Sequence, residues 1–193
     1  RPFQTIEANV MGVTAALEVA RSIGITRFVY ASTMYVYSSV GSFYRASKQA
    51  AETIIETYGQ DFGLDYTLLR YGSLYGPRAQ DWNGLRRYVG QVIDECHLNY
   101  PGSGDERREY IHVSDAARLS VDVLDTQHRN QAITVTGSQV LNSRELVEMI
   151  FEIAGKLPKV AFADSDRSEE HYRVTPYRYT PRQAKKLVPA EFI

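Results

Sequence analysis

The order in which the hydrophobic period changes along the chain constrains its fold more than any other feature. Residues 5–22 carry apolar side chains at helical spacing (Ile6, Val10, Val13, Leu17, Ala20), and Gly24 follows where a helix C-terminal cap is expected. Arg27–Ala31 reads as a short buried strand, residues 44–58 as a second helix, and Asp65–Arg70 as a second strand. Helix, strand, helix, strand in close succession is the rhythm of a parallel α/β sheet.

The second half is more broken. Gly72, Gly76 and Pro77 interrupt the chain after the second strand, residues 84–97 read as a helix, and Pro101–Gly104 as a turn-rich loop. Glu109–Val113 is predicted as a strand, with Ser114 or Asp115 capping a helix that reaches about Leu124. Ala132–Thr136 is rich in β-branched residues and reads as a strand. Asn142 with Glu145 three residues on is a capping box opening a helix over 143–154. A short strand is expected after Pro158, then a charged loop over Asp164–His171 and a last short helix over about Pro181–Leu187.

Composition removes several function classes. A chain of 193 residues builds one domain, or one domain with a small lobe. A net charge of −1 leaves no basic footprint of the kind nucleic acid needs. No apolar run approaches the roughly 18 residues that cross a bilayer, and no signal peptide is expected at the start. The single cysteine, Cys96, excludes an internal disulfide framework and fits a reducing, cytoplasmic compartment; it reads as a bland residue in or beside a helix. No metal is expected. Arg1 leads straight into a helical pattern, which reads as a sequence lacking its first segment.

The chemistry centres on Tyr44-Arg45-Ala46-Ser47-Lys48. Tyr and Lys four apart share one helix face. A phenol with its usual pKa near 10 is a poor base at neutral pH, and a nearby ammonium lowers that pKa. Such a pair suits removal of a proton from an alcohol being oxidised, although the spacing alone also fits a surface contact. The preceding strand ends in Ser32-Thr33. Hydroxyls at the carboxyl end of a parallel strand sit where doubly wound sheets bind ligands, and they also commonly satisfy a turn.

The segment Ala31-Ser32-Thr33-Met34-Tyr35-Val36-Tyr37, with Tyr44–Lys48 and Ala51-Glu52, resembles the active-site stretch of the extended short-chain dehydrogenase/reductases. Four further segments match in that family's order: Asn9–Thr14, Leu69–Arg78, Arg108–Asp115 and Asn142–Ala154. The resemblance spans nearly the whole chain. It implies a Rossmann-like doubly wound parallel sheet, incomplete because the first βαβ unit is absent, with a smaller α/β substrate-binding lobe. Residues 1–77 would supply the later part of the dinucleotide-binding domain and 78–193 mainly the substrate lobe, with 108–136 crossing back to the sheet. By the same resemblance Tyr44 is the general base and acid, and Lys48 tunes it and holds the cofactor ribose. Thr33 orients the reacting oxygen, with Ser32 as a second candidate. Tyr71 and Ser73 pass the nicotinamide. Arg108, and with it Arg78, faces the diphosphate of a nucleotide sugar, and Asn9 supports the site from the substrate side. His112 is expected to be packed or hydrogen-bonded, and Tyr35 and Tyr37 to be packing residues. A homodimer through helices 5–22 and 44–58 is implied.

The chain departs from the family pattern in three places. No Gly-x-x-Gly-x-x-Gly loop is present, so the chain as it stands is expected to bind NAD or NADP poorly, and the residue that selects between the two is missing with it. Only ten residues separate Thr33 from Tyr44, fewer than in most relatives, and Ser73 stands where many have Asn. The reaction is read from Thr33-Met34-Tyr35. Dehydratases and decarboxylases of the family carry a carboxylate after the Thr, and elimination needs such an acid; Met34 and Tyr35 offer none. An NAD-dependent nucleotide-sugar epimerase is therefore the leading expectation. A net dehydrogenase or reductase and a non-catalytic NAD(P)-sensing or scaffold protein are the alternatives.

Overall fold

The computed structural model describes residues 1–163 and 171–179. The charged loop over 164–170 and the helix expected over 181–187 lie outside the described residues.

The first predicted helix begins earlier than its apolar pattern, at α1 (Pro2–Ile6), where a proline in the first turn costs no hydrogen bond. It runs through a π-helical turn, Glu7–Met11, into α2 (Gly12–Ser22). Gly24, at φ +71°, ends it: the Ile25 amide reaches back to Ala20 O and the Gly24 amide to Arg21 O, so the last carbonyls are satisfied in a Schellman arrangement. There follow β1 (Arg27–Thr33), a 3-10 turn Met34–Tyr37, α3 (Ser42–Phe62) and β2 (Asp65–Tyr71). Both strands and the helix run longer than their patterns suggested.

β1, β2 and β6 (Gln131–Val135) form a parallel sheet in the order β1-β2-β6. Both faces are covered. Tyr30 and Leu68 pack with Leu17, Ala20, Ala51 and Ile55 of α2 and α3 on one side. Leu69 and Val135 pack with Ile111, Ala116 and Val123 around α5 (Val113–Asp122) on the other. Adjacent residues of β2 thus serve opposite cores, which is why Leu68 and Leu69 stand side by side in its sequence.

A second set of elements hangs from the carboxyl ends of these strands. The break expected after β2 is itself a short strand, β3 (Ser73–Tyr75), which pairs in parallel with β5 (Arg107–His112); β7 (Val140–Asn142) closes β5's other side antiparallel. α4 (Gly84–Glu95) and α6 (Ser143–Ile153) enclose a third core built on Val92, Leu98, Val147 and Phe151, beside the two-stranded pair β4 (Leu98–Tyr100) and β8 (Val160–Phe162). The Asn142–Glu145 capping box is present, with both reciprocal bonds. The cap of α5 is neither Ser114 nor Asp115. His112 takes that place, its Nδ1 accepting from the Ser114 amide at 3.3 Å, because β5 ends one residue before the expected strand and the imidazole is the nearest acceptor. Cys96 is exposed and ends α4 in a left-handed conformation.

Candidate active site

Three side chains meet at the carboxyl end of β1. Thr33 ends the strand, and its hydroxyl accepts from the Tyr35 amide at 3.3 Å, capping the following 3-10 turn. The same hydroxyl faces the phenol of Tyr44, near the start of α3, and draws its pKa down. Lys48, one turn further along α3, donates to Ala31 O at 2.9 Å. Its ammonium lies 4.7 Å from the centre of the Tyr30 ring and 6.0 Å from that of Tyr44.

The electrostatics are dominated by burial. Tyr44 is 43% exposed as a residue, but the partial burial of its phenol holds it above its ordinary pKa, and the Thr33 hydroxyl only partly opposes this. Burial likewise lowers the Lys48 ammonium, against the pull of the Glu52 carboxylate. The lowering of Tyr44 expected from Lys48 is absent here, because that ammonium is drawn to the Ala31 carbonyl and the Tyr30 ring. Tyr30 itself, a buried phenol whose oxygen has no hydrogen-bond partner among the described residues, is raised by burial and by the neighbouring Tyr44 and Glu52.

Asn9 reaches this group indirectly. It sits in the π-helical turn and donates to Ser47 Oγ at 3.0 Å, and Ser47 in turn donates to Tyr44 O at 2.9 Å. A π-turn re-aims one side chain within an otherwise regular helix, and here the chain of bonds ties it to the first turn of α3. Asn9 therefore holds the helix that carries Tyr44.

Ser32 does not join the group. Successive strand residues point to opposite sides, and the Ser32 hydroxyl is buried and donates to Glu52 Oε1 at 2.5 Å. Tyr71 also faces elsewhere: its hydroxyl pairs with Ser120 on α5. Ser73 is engaged by the Tyr172 phenol. Arg78 is exposed, at φ +63°, in the loop after β3.

Arg108, on β5, is half-buried among Tyr88, Tyr100 and Tyr110, and its Nε is buried without a hydrogen-bond partner in the described structure. Its charge acts on Tyr35, His171 and Tyr172. Tyr35 closes the gap to Tyr44. Their rings meet edge to face at 5.9 Å, and His171 and Tyr172 also pack on Tyr35 at 5.1 and 5.0 Å. Tyr35 is thus a wall of the site between Tyr44 and Arg108, where the sequence suggested a packing residue. The partner that places it, His171–Tyr172, lies over a hundred residues away, with no local signal to announce it. Tyr37 is likewise more than packing, since its hydroxyl accepts from Arg70.

A family model described as the NAD dependent epimerase/dehydratase family matches residues 1–136. An uncharacterized UDP-glucose epimerase of Bacillus subtilis is 26% identical over 174 residues, covering 83% of this chain and 55% of that protein. A dTDP-glucose 4,6-dehydratase of Streptomyces antibioticus is 29% identical over 168 residues, covering 80% of this chain and 50% of its own. The crystal structure of the UDP-glucose 4-epimerase of Thermus thermophilus in complex with NAD superposes with a TM-score of 0.75 at 27% identity, covering 91% of this chain and 62% of that one. The chain spans about half the length of the curated relatives it matches.

Proposed function

The chain belongs to the NAD dependent epimerase/dehydratase family, and on that premise we propose that it carries the proton-transferring and substrate-facing part of an NAD-dependent nucleotide-sugar epimerase. The observation that carries this reading is the convergence of Thr33, Tyr44 and Lys48 at one strand end, with Arg108 beyond the Tyr35 wall. The similarity extends to both epimerases and a dehydratase, and Met34-Tyr35 favours the epimerase: neither residue after Thr33 is the carboxylic acid with which the family's dehydratases protonate a departing hydroxyl.

The residues present fit the ribose and nicotinamide end of NAD. Lys48 has three donor hydrogens and spends one on Ala31 O, which leaves two for a pair of ribose hydroxyls beside Tyr44. When bound, NAD would accept and return the hydride from the sugar carbinol carbon. Tyr44 takes the hydroxyl proton as that carbon is oxidised and gives it back on reduction. Thr33 holds the same oxygen and, facing the phenol, opposes the rise that burial imposes on its pKa. Arg108 offers a planar fork of donors to the diphosphate. The guanidinium is half-buried, and its Nε, which has no hydrogen-bond partner among the described residues, can donate to a phosphate oxygen. A homodimer and a cytoplasmic location belong to the same proposal. Phe3 (80% exposed) and Met11 (63%) on the first helix and Phe62 (54%) on α3 are exposed apolar side chains that a second copy packed on these helices would cover.

The test uses the whole protein with NAD and UDP- or dTDP-hexoses. Epimerised sugar without net NADH is expected, and Tyr44→Phe lowers kcat by roughly 10²–10⁴-fold. Stoichiometric NADH would make the protein a dehydrogenase, a dehydrated 4-keto product would make it a dehydratase, and no turnover with any sugar nucleotide would leave a binding protein.

A further inference from the structure

A buried polar cluster lies directly behind the Thr33–Tyr44–Lys48 group. Glu52 Oε1 accepts from Ser32 Oγ at 2.5 Å and from Arg70 Nε at 3.0 Å, and its Oε2 accepts from Arg70 Nη2 at 2.7 Å and Tyr179 OH at 3.3 Å. Arg70 also donates to the hydroxyls of Tyr37 and Tyr179, and its guanidinium lies 4.6 Å from the centre of the Tyr37 ring. Ser32, Glu52 and Arg70 are all buried. One cluster therefore joins β1, the 3-10 turn, α3, β2 and the returning segment 171–179.

Stability alone gives weak reason for such a pair. Desolvating two charges offsets most of their attraction, and apolar residues of similar volume often serve as well. What an apolar pair lacks is direction. A two-point guanidinium–carboxylate fork fixes both distance and rotation. Glu52 stands four residues after Lys48 and eight after Tyr44, on the same face of α3. Ser32 stands between Ala31, whose carbonyl holds Lys48, and Thr33, whose hydroxyl meets Tyr44. Each contact of the proton-transferring group is thus one strand residue or one helical turn from this fork.

We propose that Glu52, clamped by Arg70 and Ser32, is a positioning residue that sets the height and rotation of α3 so that Tyr44 and Lys48 meet the end of β1. The proposal rests on reading Tyr44 and Lys48 as the proton-transferring pair. Tyr179 adds a third arm, tying the substrate-side segment to the same carboxylate.

The test compares the wild-type protein with Glu52→Gln and with the paired variant Glu52→Met/Arg70→Met. The single variant strands a buried guanidinium and is prone to unfold. The paired variant removes one charge of each sign and so keeps both fold and local net charge. Two readouts are taken on each variant that melts cooperatively. The first is the rate at which a neutral acylating reagent modifies Lys48, followed by mass spectrometry, with exposed Lys159 as internal control. The second is kcat and KM of the whole protein. Lys48 labelling is expected to rise on the order of tenfold as its bond to Ala31 O loosens, with Lys159 unchanged. kcat is expected to fall by a similar factor at constant KM for the nucleotide sugar. A folded paired variant with wild-type Lys48 labelling and wild-type kcat overturns the proposal. Faster labelling in a protein whose wild type turns over no sugar nucleotide upholds the positioning and sinks only the functional reading.

Discussion

His171 makes the stability of this protein acid-sensitive in a window that can be worked out in advance. Its imidazole is stacked against Tyr172 at 4.4 Å and Tyr35 at 5.1 Å, with Nδ1 3.3 Å from Tyr172 O. Burial, then the charge of Arg108, lower its pKa to about 4, against a weaker opposing pull from the Tyr172 carbonyl. The unfolded chain takes up this proton near pH 6.5 and the folded one only near pH 4. Between those values the unfolded state binds the extra proton, so stability falls as pH falls. The contribution is complete above about pH 6.5 and is lost on the way down to about pH 4. Each pH unit of that window is worth about 1.4 kcal/mol, so the loss reaches about 2–3 kcal/mol once the ring's partial exposure is allowed for. His171→Phe keeps the ring stack and removes the titration. Thermal melts of wild type and variant at pH 7 and pH 4 cancel the carboxylates common to both. The variant is expected to gain on the wild type by roughly 5–10 °C across that interval, at about 2–4 °C per kcal/mol for a chain this size. Parallel curves would mean that the imidazole is hydrated or charged in the folded state, and the argument from burial would fail.

Other consequences are simpler to state. A Cβ added at Gly137 would overlap the backbone carbonyl of Tyr110, which cannot swing aside; Gly137→Ala is expected to cost at least about 1–3 kcal/mol in urea denaturation. Asn142→Ala removes one half of the capping box on α6 and should lower stability by about 1 kcal/mol, read as a drop of a few degrees in the melting temperature. Arg108→Lys exchanges a planar fork for a point charge, and the expected result is a rise of about tenfold in KM for the nucleotide sugar with little change in kcat. An unchanged KM would remove Arg108 from the diphosphate site.

What can be read from the sequence is whatever is encoded locally. The capping box at Asn142–Glu145 and the glycine stop at Gly24 are each set within six residues, and both are present. The helix–strand rhythm over the first 71 residues reflects burial periodicity, and β1, α3 and β2 lie where it puts them, a few residues longer. Of the three-residue strands only β8, announced by Pro158, is legible; β3, β4 and β7 are not, because at that length pairing partners more than the strand's own side chains decide the conformation. The same holds for the Tyr35 wall and for Tyr179 on Arg70, contacts made across more than a hundred residues.

Ser32 is a different case, because the signal that places it is local. A hydroxyl at the strand end groups it with Thr33, yet the period of two along a strand puts adjacent hydroxyls on opposite sides. Taken strictly, that period gives Thr33 to the open end of the sheet, where Tyr44 waits, and turns Ser32 toward the helix above. The helical period then supplies the partner: Glu52 follows Lys48 by one turn, so it faces the same strand one level deeper. Arg70 pairs with Ser32 in the β1–β2 register, which brings its guanidinium under the same carboxylate. The proton-transferring group and the clamp behind it are therefore two readings of one alternation, split by a single residue step along β1.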